Sequence, residues 1–186
     1  QAGVRVLRVS TILPPYFYEE FRGHNERNPD SPLYLLHGIY LPDESYIKTG
    51  DLLADSITDS FREEIQDASA AVSGDLERAP QPGRASGTWT ADVSAWLAGW
   101  IIGAELDPVA IDETDRANQD YPEFSGTYFV SASDTGQTTP TERWLAERMD
   151  YLATAEAGRG RSSPIAFVNW PTTDPLEHPA EPIEIE

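Results

Sequence analysis

In the stretch "GWIIGAELDP" an apolar run ends abruptly in Glu105, with Asp107 close behind. Three other apolar runs end in the same way. Arg8 and Ser10 close the first, His37 and Tyr40 the second, and Asn169 and Trp170 the last, with Asp174 and His178 beyond. An isolated carboxyl group can pass a proton to or from a leaving oxygen. Aromatic faces stack on sugar rings, while Arg and Asn fork hydrogen bonds to hydroxyls. Gathered in one hollow, Glu105, Arg8, His37, Tyr40, Asn169 and Trp170 would suit a carbohydrate. They meet only if the runs lie parallel, because chemistry in parallel α/β folds collects at the carboxyl ends of the strands.

The patterning supplies elements to position them. Residues 4–9 alternate as a strand, and the continuous apolar run 33–40, bounded by Pro32 and Pro42, suits a strand buried on both faces. Residues 99–104 and 164–170 complete a set of four. Helical spacing is read over 16–27 behind Pro15, over 51–72 with Asp51 as its cap, briefly over 92–98, and over 141–157. Residues 75–88, rich in Pro, Gly, Arg and Ser, read as a loop, and the polar stretch 107–139 as a long excursion. Trp89, Trp96 and Trp100 are expected in the core. Strands alternating with helices predict parallel pairing with right-handed crossovers, either a (β/α) barrel or an open doubly wound sheet.

Composition narrows the function classes. The 186 residues suffice for one domain, and 39% hydrophobic content indicates a packed core. A net charge of −19, from 32 acidic and 13 basic residues, opposes nucleic acid and anionic membranes as partners. We read it as a surface adapted to high salt, with cation binding as the other reading. No apolar run approaches the length of a membrane span. The absence of cysteine excludes disulfides, thiolate metal sites and a cysteine nucleophile. No glycine-rich phosphate loop calls for a nucleotide cofactor, and no serine-hydrolase elbow is present. Asp174, His178 and Glu181 are spaced so that a loop could wrap them around a cation, but the interleaved Pro175, Pro179 and Pro182 favour a rigid structural loop, and no metal is expected. Gln1 at the start and the abrupt Glu184-Ile185-Glu186 end lead us to expect a piece of a longer protein.

"VRVLRVSTILPPYFYEEF" resembles the second barrel strand of the retaining TIM-barrel glycosidases, the superfamily that includes the family-two and β-glucanosyltransferase-type enzymes. "LYLLHGIYLPDE" resembles the third strand, "GWIIGAELDP" the fourth, and "TERWLAERMDYLATAE…PIAFVNWPTTDPLEHPAEP" the following helix and fifth strand. The likeness is to a glycosidase-like bacterial branch of the superfamily. It implies a partial TIM barrel over residues 1–186, from roughly the second to the fifth strand, acting as a glycoside hydrolase or transglycosylase. It also implies that Glu105 serves as the general acid/base and that Arg8 keeps a nucleophilic carboxylate ionised.

One departure stands out. The superfamily has Asn immediately before the acid/base, where this chain has Ala104; Asn169 on the neighbouring strand is the candidate substitute. The nucleophile belongs on the seventh barrel strand, and Glu181, Glu184 and Glu186 do not match it. The rival reading is a carbohydrate-binding or scaffold domain that keeps the surface without the chemistry.

Overall fold

The computed structural model describes residues 3–132 and 137–168. Its centre is a parallel sheet of four strands, β1 (Val6–Val9), β2 (Tyr34–Ile39), β5 (Leu97–Ala104) and β6 (Ile165–Val168), lying side by side in that order. The connections carry helices α1 (Pro15–Arg27), α2 (Asp43–Ile47), α3 (Asp55–Val72), α4 (Pro108–Ala117) and α5 (Pro140–Gly158). Two short strands, β3 (Leu76–Arg78) and β4 (Gly87–Trp89), form a separate antiparallel ribbon.

Because each strand is laid beside its predecessor, crossovers of one hand place every helix on the same face of the sheet. Burial along the strands agrees. Val9, then Leu35, His37 and Ile39, then Trp100 and Ile102 are buried and share one face through the pairs Val9 with His37 and His37 with Trp100. On the other face Val6, Arg8, Tyr34 and Ala166 are exposed. Side chains alternate along a strand, so the two faces take opposite members of each run.

Local chemistry explains the helices. Pro15 opens α1, where its missing N–H costs nothing. Tyr18, Phe21 and Asn25 form its buried stripe, and Asn25 clamps the backbone of Leu33, accepting from its N–H at 2.8 Å and donating to its carbonyl at 2.9 Å. That clamp fixes α1 to the residue just before β2. α5 begins in a capping box: the Thr139 hydroxyl accepts from the Glu142 N–H at 3.2 Å, and the Glu142 carboxylate accepts from the Thr139 N–H at 2.7 Å. Trp144 on α5 stacks on Phe61 of α3 at 5.6 Å, and its indole N–H donates to Thr58 at 2.9 Å. Trp89 and Trp100 are buried, as expected, while Trp96 is half-buried in a 3₁₀ turn over Ser94–Trp96, where a short helix was predicted.

Several expectations need correction. α3 starts at Asp55 rather than Asp51, and its N-cap, Ala54, offers no side-chain bond. The Asp51 carboxylate instead accepts from the Leu53 N–H at 3.0 Å and the Asn118 amide at 3.0 Å, tying this loop to the end of α4. The predicted loop 75–88 takes in all of the β3–β4 ribbon but its last residue, Trp89, and the ribbon's polar residues mask its pairing. The predicted excursion 107–139 contains α4, marked by Asp107 as cap and Pro108 in the first turn. The Asp107 carboxylate accepts from the Ala110 N–H at 2.8 Å.

Gly38 shows how tightly the sheet is packed where β1 ends. A Cβ added there would stand 2.7 Å from the carbonyl oxygens of both Val9 and Ser10. Gly38→Ala should therefore lower unfolding free energy by about 2 kcal/mol, at the middle of the range for overpacking. Gly158→Ala, with nothing within 4 Å of its added methyl, should change it by less than about 0.5 kcal/mol. Urea denaturation of the two variants beside wild type checks the contrast.

Candidate functional site

The parallel sheet brings the carboxyl ends of β1, β2, β5 and β6 to one edge. Glu105 stands at the tip of β5 with its side chain exposed and its backbone at φ +53°, the left-handed region. Among the described residues it is the single non-glycine residue there. Such a conformation costs an L-residue about 1 kcal/mol and concentrates at working sites. Gly103, also at φ +53°, and a register irregularity between Ile101 and Ala104 turn the strand end sharply. The Glu105 N–H donates to the Val168 carbonyl at 2.8 Å, so β6 holds the turn in place.

Arg8 lies one residue before the end of β1 and is exposed on the face away from the helices. Tyr40 follows β2, with 41% of its surface exposed, and its hydroxyl donates to Asp43 at 2.9 Å. Partial burial, then that hydrogen bond, push its phenol above the ordinary value. Asn169 and Trp170 lie outside the described residues, as do Asp174, His178 and Glu181. Among the described residues no group of three or more His, Asp and Glu side chains is gathered to hold a metal ion.

His37 is placed apart from the others. It is fully buried on the helix-covered face, opposite Arg8. Nδ1 lies 2.8 Å from the Gly38 carbonyl, which can only accept, so Nδ1 carries the proton. Nε2 is then left to accept from the Tyr18 hydroxyl at 2.7 Å. The ring also rests against Trp100, 5.3 Å between centroids. Both nitrogens are engaged by the protein, and no face is open to a ligand. Its place is in the packing between α1, β2 and β5.

Two depressions lie near the strand tips. The larger, about 670 Å³, runs on the helix side between α4 and α5, with Leu106, Val109, Ile111, Leu145 and Phe167 as its apolar wall. Leu106 turns into it while its neighbour Glu105 stands outside. The second, about 360 Å³, lies between the β2–α2 loop and α3, with Tyr40, Ser60, Glu64 and Arg84 on its walls. Glu64, Arg78 and Arg84 escaped sequence reading. Glu64 sits on the buried stripe of α3, three residues after Phe61, and the two arginines flank the Pro- and Gly-rich turn of the ribbon. A charged residue on an otherwise apolar helical stripe is the signal that could have found them.

No known family model matches this chain, and no curated protein matches its sequence. No helix among the described residues is long and apolar enough to cross a membrane.

Burial holds the folded His37 pKa down at about 4, against an ordinary value of 6.5. The unfolded chain therefore takes up this proton first as pH falls. Stability contributed by neutral His37 is complete above about pH 6.5 and is lost as pH drops through 4, a change on the order of 3 kcal/mol. Urea unfolding at a series of pH values should show this slope in wild type. In His37→Gln it should be flatter across the same window, with lower stability at neutral pH.

Proposed function

We propose that this chain is part of a TIM-barrel domain, from roughly its second to its fifth strand, that acts on a carbohydrate through retaining acid/base chemistry. A barrel adds each strand–helix unit beside the last, whereas a doubly wound sheet reverses its order at a switch point. The consecutive order of β1, β2, β5 and β6, with the helices on one face, supports the barrel.

The observation that carries the functional reading is Glu105: an exposed carboxylate held in a strained backbone conformation at the carboxyl tip of an interior strand. In this reading Glu105 protonates the glycosidic oxygen and then takes a proton from the attacking water. Arg8, on the open face of the same sheet edge, provides positive charge beside the carboxylate that attacks the sugar. Retention requires that second carboxylate about 5 Å from the first. Of the strand-tip carboxylates described, Asp43 is engaged by Tyr40 and Asp107 caps α4, so the nucleophile is assigned outside the described residues. Tyr40, Asn169 and Trp170 are proposed to contact the sugar.

A second reading, a carbohydrate-binding domain without catalysis, is favoured by two observations. Glu105 is exposed rather than desolvated, and Ala104 replaces the asparagine of the resembled superfamily.

Glu105→Gln and Glu105→Gly in the full-length protein separate the two. With aryl glycosides carrying good leaving groups, an acid/base role predicts that Glu105→Gln slows turnover by about 100-fold or more through the second step, with azide restoring it. Glu105→Gly should do the same while raising unfolding free energy by about 1 kcal/mol, because glycine adopts φ +53° without strain. Unchanged turnover in Glu105→Gln would remove the assignment and leave the binding reading.

A further inference from the structure

The β3–β4 ribbon carries Arg78 and Arg84 to a single carboxylate oxygen. Oε2 of Glu64 accepts from both guanidinium groups, each at 2.8 Å, and Arg78 also reaches Asp67 at 2.9 Å through Nε. The Glu64 side chain is only 5% exposed and that of Arg78 only 7%. Removing such charges from water costs several kcal/mol per ion, so buried carboxylates ordinarily use both oxygens. Glu64 does not. Its Oε1 takes no hydrogen bond from any described residue. Glu64 lines two adjoining clefts, of about 360 and 90 Å³, that share Tyr40, Pro42, Glu64 and Arg84.

Around that free oxygen the chemistry is mixed in a specific way. Arg84, 28% exposed in its side chain, uses one nitrogen on Glu64 and keeps other N–H donors at the cleft wall. Ser56 and Ser60 add hydroxyls from the exposed side of α3, and Ile57, Phe61 and Leu41 supply an apolar surface. An acceptor and a donor side by side over an apolar wall match two adjacent hydroxyls on a ring. One hydroxyl donates to Glu64 Oε1, its neighbour accepts from Arg84, and the ring's C–H face lies on the wall. The volume is sufficient for a small ligand.

We propose that this cleft between α3, the β2–α2 loop and the tip of the β3–β4 ribbon binds the vicinal diol of a sugar ring, with Glu64 and Arg84 reading the two hydroxyls. Neither Glu105 nor Arg8 lines this cleft, although Tyr40 stands on its wall, so protection of the ribbon turn is the reading specific to it. The cleft binds without chemistry, and it stands whether or not Glu105 transfers a proton. Gly83, at φ +75° in the ribbon turn, lets the chain double back and present Arg84 to Glu64.

Hydrogen exchange of the full-length protein, read by mass spectrometry with and without saturating methyl β-D-glucopyranoside, tests this. The sugar should slow exchange in the ribbon turn, residues 79–86, and in the loop over residues 40–49. Ser60→Phe, a surface change that fills the cleft without touching the ion pairs, should abolish that protection. Arg84→Met, which leaves the Glu64–Arg78 pair intact, should weaken the half-saturating concentration by about tenfold, the loss of one charge-assisted hydrogen bond. Tetrahydropyran-2-methanol, a ring without the diol, should protect neither segment. In Glu105→Gln the protection should persist, so a failure of proton transfer and a failure of this site are read separately. Absence of protection in these segments, its survival in Ser60→Phe, or equal protection by the ring lacking the diol would overturn the proposal.

Discussion

A one-residue slip in the pairing of β2 with β5 would carry every side chain of β2 to the opposite face of the sheet. Several contacts oppose it. His37 is locked between the Tyr18 hydroxyl and the Gly38 carbonyl, with its ring against Trp100, and Trp100 pairs in turn with Ile165. Asn25 fixes Leu33 before the strand begins, and Gly38 lets the chain leaving β1 pass at a distance no other residue allows. Because these contacts hold the register, Arg8 faces away from the helices and Glu105 arrives at the same edge. Burying a neutral histidine is the cost of that arrangement, and it shows as a pKa held down at about 4.

Several of the chain's few cations are committed to internal partners. Among 13 basic residues, Arg78 and Arg84 pin the ribbon to α3, and Arg161 binds Glu156 and Ser73, joining the end of α5 to the end of α3. Arg143 reaches the Tyr121 and Thr138 carbonyls, and Asp150 accepts from the N–H groups of Tyr128 and Phe129 at 2.6 and 2.9 Å. The irregular stretch after α4 is thus held to α5 by side chains, and closes on itself through an antiparallel bridge between Ser125 and Val130. Backbone groups outside regular structure must still find partners, and here α5 supplies some of them while Gly126 and Ser131 donate to the Phe129 and Phe124 carbonyls. Two glutamates are buried among the described residues: Glu156 accepts hydrogen bonds on both oxygens, whereas Glu64 accepts them on Oε2 alone.

The strands and the long helices were legible because their burial is periodic. Val9, Leu35, Trp100 and Ile102 announce themselves as apolar runs, and Thr139-Pro140 with Glu142 is a capping box visible in the letters. What the sequence concealed was held by polar groups. α4 buries only Ala110 and Thr114, so hydrophobic spacing is too weak to mark it, although Asp107-Pro108 was there to be read. The ribbon is fixed by three residue pairs and two arginines whose partners lie 11 to 20 positions away, a distance no local pattern spans. At the site, Arg8 and Glu105 could be placed at strand ends from hydropathy alone. The burial of His37 followed from its place in an apolar run read as buried on both faces, but the partners of its two nitrogens, Tyr18 and the Gly38 carbonyl, are set by tertiary contacts that no local pattern shows.

Inter-strand nuclear Overhauser effects across the sheet test the central claim most directly. The account predicts parallel contacts linking Val9 to His37, His37 to Trp100 and Trp100 to Ile165, which set Arg8 on the open face and bring Glu105 to the same edge. Antiparallel contacts, or a set displaced by one residue so that Arg8 turned beneath the helices, would contradict it.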